Sequence, residues 1–243
     1  TSSLSNNIVW SLEMDHRQRL WLGTEGGGLN LYQPETDSFV HFKHNSTDPY
    51  SLRSDFIWTM MVDREGYLWI GTTAGVSRMD PDTLQFNNFD GVPGDPTSFQ
   101  GERVRSLMQD RQGRVWIGTQ DNGFYIFDPA SGIFTHYGAN TALPALYVTG
   151  FVEDQQGLVW ASTTNGLVRI DPQDMSMTIF NKSHGLVGNN FNREANFIDA
   201  HGTVYFGCTE GISAFYPQNL RRDQINLPLV ITHLACADEP GHP

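Results

Sequence analysis

The sequence predicts an all-β fold, a β-propeller built of four-stranded antiparallel blades, and three features carry that prediction. The first is a motif written five times in 243 residues. It reads MDHRQRLWLGTEGGGLNLYQP from Met14, VDREGYLWIGTTAGVSRMDP from Val62 and QDRQGRVWIGTQDNGFYIFDP from Gln109, with two looser copies from Glu153 and Ile198. Its aromatic is Trp21, Trp69, Trp116, Trp160 and Tyr205, so successive copies lie 48, 47, 44 and 45 residues apart. A period in the forties made of short strands is that of propeller blades. The second feature is a set of turn residues in phase, and the third is a column of small residues, both described below. A single blade cannot bury its own faces, so five repeats predict one assembly in which neighbours stabilise each other.

The second copy shows how a repeat becomes a blade. Phe56 to Val62 is rich in large apolar residues and reads as a strand buried on both faces. Asp63 to Gly66 is a turn, because Asp bonds its own backbone two residues on and Gly accepts the positive φ that closes a hairpin. Tyr67 to Thr72 is the second strand, Thr73-Ala74-Gly75 the next turn, and Val76 to Met79 the third strand. Pro81 breaks that strand, and Phe86 to Phe89 is the fourth. The same marks recur in phase. Asp15, Asp63, Asp110, Asp154 and Asp199 open the first turn. Gly66, Gly113, Gly157 and Gly202 close it, with Gln18 as the exception. Pro34, Pro81, Pro129, Pro172 and Pro217 mark the third turn, and repeats one and three carry an extra residue in the second.

Four residues before each first-turn Asp stand Ser11, Thr59, Ser106, Gly150 and Ala195, all small. Strands converging on a propeller axis have no room for bulk, so this strand is placed innermost. Strand direction then puts the second turns and the long inter-blade loops on one face, and the Asp and Pro turns on the other.

Composition agrees. Hydrophobic residues make up 39% and aromatics 12%, enough for a core, and 24 Gly with 12 Pro suit many tight turns. A net charge of −12, offset only by Arg221-Arg222 and scattered single cations, argues against a nucleic-acid or anionic-membrane partner. No stretch approaches the ~18 apolar residues of a spanning helix. Two cysteines, Cys208 and Cys236, are too few for a disulfide framework and leave the redox compartment open.

These residues resemble the two-component regulator propeller repeat, whose pattern is a D-x-x-G turn, L-W-I-G-T, a Gly-Leu strand and a Pro turn. The likeness covers residues 4 to 220. The final copy, GLVGNNFNREANFIDAHGTVYFGCTEGISAFYPQNL, is similar to the last blade of such propellers. The resemblance implies a segment of a seven-bladed propeller, with residues 1–222 as five blades. It implies that residues 223–243, with INLPLVITHLACAD, open a following immunoglobulin-like domain. It also implies the periplasmic sensory region of a bacterial receptor whose output is a histidine kinase or a diguanylate cyclase, with any membrane segment elsewhere in the protein. The last copy lacks the F-x-x-F outer strand seen at Phe39–Phe42 and Phe86–Phe89. Five blades either close alone or form an open arc, and an open arc exposes apolar faces that favour a homodimer or other self-association.

No catalytic constellation is visible, so this chain is expected to be no enzyme and to need no cofactor or metal. The Trp column reads as inter-blade packing, and the five Asp lack the clustered spacing of a calcium loop. The eight histidines, which include His233 and His242, form no metal-ligand pair; His41 and His44 are three apart, on opposite faces of a strand. What remains is the loop face. Where the inner strands begin stand Asn7, Asp55, Arg103, Tyr147, Asn192 and Arg193, and the second turns add Glu25, Asn122, Asn165 and Glu210. Varied polar residues on a rigid scaffold are either a recognition rim or simply solvated. Arg103 and Arg193 suit an acidic group, since an Arg fork holds a carboxylate in two parallel bonds. The resemblance implies a carbohydrate instead. Trp10 and Trp58, at matching phase near the channel mouth, either stack on a sugar or pack. The alternatives to a sensor are a propeller lyase or hydrolase with its site at that mouth, or a dimerisation scaffold; fold alone does not choose.

Overall fold

Each first turn is closed from inside by its aspartate. The carboxylate of Asp154 accepts the backbone N–H groups of Gln156 and Leu158 at 3.0 Å each, and its second oxygen accepts the Trp160 indole N–H at 2.8 Å. The same indole bond is 2.9 Å for Asp15–Trp21, 2.7 Å for Asp63–Trp69 and 2.8 Å for Asp110–Trp116. In the fifth copy the Tyr205 hydroxyl takes the place of the indole, 3.1 Å from Asp199. Asp15, Asp63, Asp110 and Asp154 are buried, and each carboxylate replaces its lost hydration with two to four donors. Turn and tryptophan are one unit. The glycines that close these turns have φ between 82° and 92°, and Gln18 takes the same left-handed conformation at 61°.

The computed structural model describes residues 3–219 with the exception of Glu102. It contains five antiparallel sheets in chain order. The first holds β1 (Val9–Met14), β2 (Leu20–Thr24), β3 (Leu29–Gln33) and β4 (Ser38–Phe42). The second holds β5 (Ile57–Val62), β6 (Leu68–Thr72), β7 (Gly75–Asp80) and β8 (Gln85–Asn88). The third holds β9 (Val104–Gln109), β10 (Val115–Thr119), β11 (Phe124–Asp128) and β12 (Ile133–Tyr137). The fourth holds β13 (Val148–Glu153), β14 (Val159–Thr163), β15 (Gly166–Ile170) and β16 (Met177–Phe180). The fifth has three strands among the described residues, β17 (Phe191–Ile198), β18 (Val204–Cys208) and β19 (Gly211–Phe215). Two short 3₁₀ turns, Lys182–His184 and Pro217–Asn219, are the helical content among the described residues. The expected opening strand of a further domain at 223–243, with Arg221, Arg222, His233, Cys236 and His242, lies outside the described residues.

The innermost strands are β1, β5, β9, β13 and β17, which carry the small-residue column. Close approach explains that column and the Gly beside it. A Cβ placed on Gly71 would lie 2.6 Å from the Thr59 methyl and 2.6 Å from a methyl of Val104 on the next blade. The four indoles of the latch fill the inter-blade seams. Trp21 packs with Leu52, Ile57 and Met60 of the second blade, Trp69 with Val115 and Phe127 of the third, Trp116 with Val148 and Phe151 of the fourth, and Trp160 with Phe191 and Phe206 of the fifth. Among the described residues no apolar cluster joins the fifth sheet back to the first. Leu12 and Met14 on the first sheet, and Phe197 and Ile212 on the fifth, are exposed. Among the described residues the five blades thus form an arc whose end sheets share no apolar cluster.

The second turns meet the inter-blade loops through backbone bonds, Gly26 N–H to Asp55 O at 3.1 Å and Gly123 N–H to Leu146 O at 2.8 Å among them. This confirms that the two sets of loops share one face. Asp154→Ala would leave the Trp160 indole and two turn N–H groups without their acceptor in a seam. It should cost about 3 kcal/mol, read as a lower urea midpoint with an unchanged m-value. An unshifted midpoint would show that the latch contributes nothing.

Candidate functional site

The inner strands share an irregularity at the loop face. Along β1 the pairing with β2 passes from Val9–Thr24 to Ser11–Gly23, which leaves Trp10 as an extra residue. The same bulge falls on Trp58 in β5, Arg105 in β9 and Thr149 in β13. In β17 it is larger: pairing jumps from Phe191–Cys208 to Asn196–Phe206, so residues 192–195 stand opposite Gly207 alone. A bulge re-aims its side chain out of the regular alternation. Here five of them lie at one end of five converging strands, and side chains from four of them meet, while Thr149 turns to Ser162 of its own blade.

The meeting point is a cluster of two indoles and two guanidinium groups. Trp10 and Trp58 pack with ring centroids 5.2 Å apart and planes at 45°. The Arg105 guanidinium lies 3.9 Å from the centre of the Trp58 ring. That of Arg193 lies 4.4 Å from Trp10 and 5.0 Å from Trp58. These are close cation–π distances. Glu25 accepts the Trp10 indole N–H at 3.0 Å, and Arg105 donates from Nε to the neutral Gln120 amide oxygen at 3.0 Å. The Trp58 indole nitrogen is buried with no acceptor. Burial, and for Arg105 also the charges of Arg193 and Arg103, lower the affinity of both guanidinium groups for their protons; the nearby Tyr147 phenol opposes this, as do Asp121 for Arg105 and Glu194 for Arg193.

Below the cluster the channel holds two carboxyl groups. Glu194, at φ 54° in the β17 bulge, reaches across the axis and accepts the Thr59 hydroxyl at 3.0 Å. Burial raises its pKa to about 7, with Glu13 adding to the rise and Thr59 and Arg193 opposing it. Burial likewise raises Glu13 to about 7 against a backbone bond from Met14. Although Thr59 and Glu13 face it across the channel, Glu194 is exposed to channel water, which tempers the cost of its charge.

Of the residues singled out on the rim, Glu25, Tyr147 and Arg193 belong to this mouth. Arg103, also in a left-handed conformation at φ 45°, is exposed and pairs with Asp121 at 3.1 Å. Asp55 is a loop clasp, its carboxylate accepting the His44 N–H at 2.7 Å. Asn122 bonds the Tyr125 hydroxyl at 2.9 Å and Asn165 the Pro144 carbonyl at 3.2 Å. Glu210 pairs with Lys182 at 2.5 Å, and Asn7 and Asn192 are exposed. Arg105 and Glu194 were not singled out. Yet Trp10, Trp58, Arg105, Thr149 and Glu194 all stand five residues before a first-turn Asp, so that column was the available signal. On the opposite face a cleft of ≈ 280 Å³ is lined by Arg17, Arg19, Asp15 and Asp82, whose charges already pair with one another. No group of three or more potential metal-ligating side chains occurs among the described residues.

The raised carboxyls give a sign for pH dependence. Their unfolded value is 4.5 and their folded value about 7, so between the two the folded state binds more protons and stability falls as pH rises. The double variant Glu13→Gln/Glu194→Gln should match wild type near pH 5 and melt higher at pH 8. Parallel melting curves for the two proteins from pH 5 to 8 would show that the carboxyls titrate normally.

Comparison with known proteins fits this architecture. Residues 3–26, 51–74 and 98–121 match the two component regulator propeller family. A similar curated protein is Histidine kinase P4 of Formosa agariphila, 24% identical over 233 residues that span 95% of this chain and 17% of the relative. Among solved structures, the extracellular domain of a hybrid two component system from B. thetaiotaomicron superposes with a TM-score of 0.80. It is 25% identical, over 90% of this chain and 30% of that one. A second such domain from the same organism has a TM-score of 0.70 at 23% identity, over 86% of this chain and 27% of that one, and supports the fold. The chain therefore spans under a third of the length of these three relatives. Among the described residues no helix is long and apolar enough to cross a membrane. Three of the five repeats, those of the first, second and third blades, thus match the two component regulator propeller repeat.

Proposed function

We propose that this chain is the ligand-recognition part of a periplasmic sensor region, which relays occupancy of its channel mouth to a histidine kinase and does no chemistry itself. The observation that supports this reading is the convergence of the bulged residues Trp10, Trp58, Arg105 and Arg193. Four blades spend an irregular backbone on placing large, amphipathic side chains at one point, and such side chains bind small molecules by stacking and by directed N–H groups. The relatives are extracellular domains of two-component systems and a histidine kinase, which supports the signalling role. A lyase or hydrolase reading would draw on Glu13 and Glu194, whose pKa values suit proton transfer near neutral pH.

In a receptor carrying this chain, Trp10→Ala/Trp58→Ala should abolish ligand-dependent phosphorylation while the chain melts as wild type. Retained signalling, or turnover of the ligand by the isolated chain, would reject the reading. The apolar faces left open on the first and fifth sheets also support self-association of the chain when prepared alone. Light scattering should then show a mass that rises with concentration, and a constant monomer mass would remove that expectation.

A further inference from the structure

We infer that the channel mouth is a carboxylate site, built to take a small organic anion whose acid group sits beside a flat or apolar ring. The inference rests on the mouth being a recognition site and adds the chemical class. Its first ground is charge accounting. Among the described residues neither Arg105 nor Arg193 forms an ion pair, in a protein of net charge −12 where Arg17, Arg19, Arg53, Arg103 and Arg114 do; Arg64, Arg78 and Arg169 also lack one, but of these five only Arg105 and Arg193 meet over one ring. The acids near the mouth hydrogen-bond neutral groups, Glu25 the Trp10 indole and Glu194 the Thr59 hydroxyl; Glu194 attracts its neighbour Arg193 but forms no ion pair with it. The partner that Arg105 does have, Gln120, is itself neutral.

The second ground is geometry. Both guanidinium groups lie over the same Trp58 ring, so they are no farther apart than the sum of 3.9 and 5.0 Å. Two like charges over one ring repel each other, and Arg193 adds to the lowering of Arg105's proton affinity that burial chiefly causes. An anion between them relieves that repulsion. Stacking on the indoles holds each guanidinium by its face and leaves N–H edges for a carboxylate, the bidentate arrangement that Arg favours over Lys. Trp10, 43% exposed beside Arg193, offers the ring surface on which the rest of the ligand would lie. A neutral ligand of the same shape would gain the stacking and leave both charges uncompensated.

The test uses the whole chain and matched pairs: benzoate against benzamide, and a hexuronate against the corresponding hexose. Binding is followed by indole fluorescence and calorimetry. At least one acid should bind saturably, roughly ten- to a hundredfold tighter than its neutral counterpart, as loss of a charge-assisted bond predicts. That preference should shrink as salt rises and disappear in Arg105→Met/Arg193→Met. If the double variant melts early, Arg193→Lys serves instead, keeping the charge and losing the fork; it should bind the acid weaker and still prefer it. A neutral member that binds as tightly as its acid would overturn the carboxylate assignment and leave the mouth as a recognition site. No saturable binding by any member would overturn both.

Discussion

A buried carboxylate that accepts both its own turn's backbone and an indole N–H six residues later is the interaction on which the rest of the structure depends. The bond occurs at Asp15–Trp21, Asp63–Trp69, Asp110–Trp116 and Asp154–Trp160, within 2.7 to 2.9 Å each time. It does two things at once. It fixes the first hairpin of a blade, and it orients the largest apolar side chain of the repeat into the seam with the next blade. An Asp buried without those donors would be costly, and a Trp buried without that acceptor would strand its N–H. For Asp15 the balance shows in its ionisation. Burial raises the carboxyl, but the bonds from Trp21 and from Arg19 and Arg17 outweigh it and hold the group below its usual range.

Because the latch secures each blade from the Asp face, the opposite ends of the inner strands can be irregular without loosening the sheet. That is where the bulges fall, and where two non-glycine residues, Arg103 and Glu194, hold left-handed backbone conformations. Such conformations are unfavourable by ~1–3 kcal/mol and persist where surrounding structure fixes them, commonly at binding sites. The fifth blade departs furthest. Its insertion carries Arg193 to the indoles of the first and second blades and Glu194 to Thr59 of the second. Side chains of one insertion thus tie the last blade of the arc to the first two across the axis.

Much of the fold was legible in the sequence because its determinants are local and repeated. The strand bounds read for the second copy differ from β5 to β8 by a residue at either end. The glycine exception at Gln18 was visible and is a real left-handed residue. The Asp column was read as turn formation and the Trp column as packing; that the two are bonded to each other needed the structure, since a spacing of six has no meaning until the hairpin places the residues side by side. The site was only partly legible. Arg193 and Glu25 were found because the loop face was found. Arg105 was not, because a regular strand would turn it away from the mouth, and only the bulge brings it there. Arg103 has the same chemistry and lies two residues away, but Asp121 neutralises it. Sequence shows residue type and phase; it does not show which of two arginines already has a partner.

The account is tested most directly by hydrogen exchange of the six indole N–H groups, assigned by single Trp→Phe changes. If the latch carries the blades, the indoles of Trp21, Trp69, Trp116 and Trp160 should exchange only when the whole arc unfolds, with one common free energy. The indole of Trp10, bonded to Glu25 at the exposed mouth, should exchange many times faster. Latch indoles that exchange as fast as Trp10, or independently of global stability, would contradict the claim that this bond holds the propeller together.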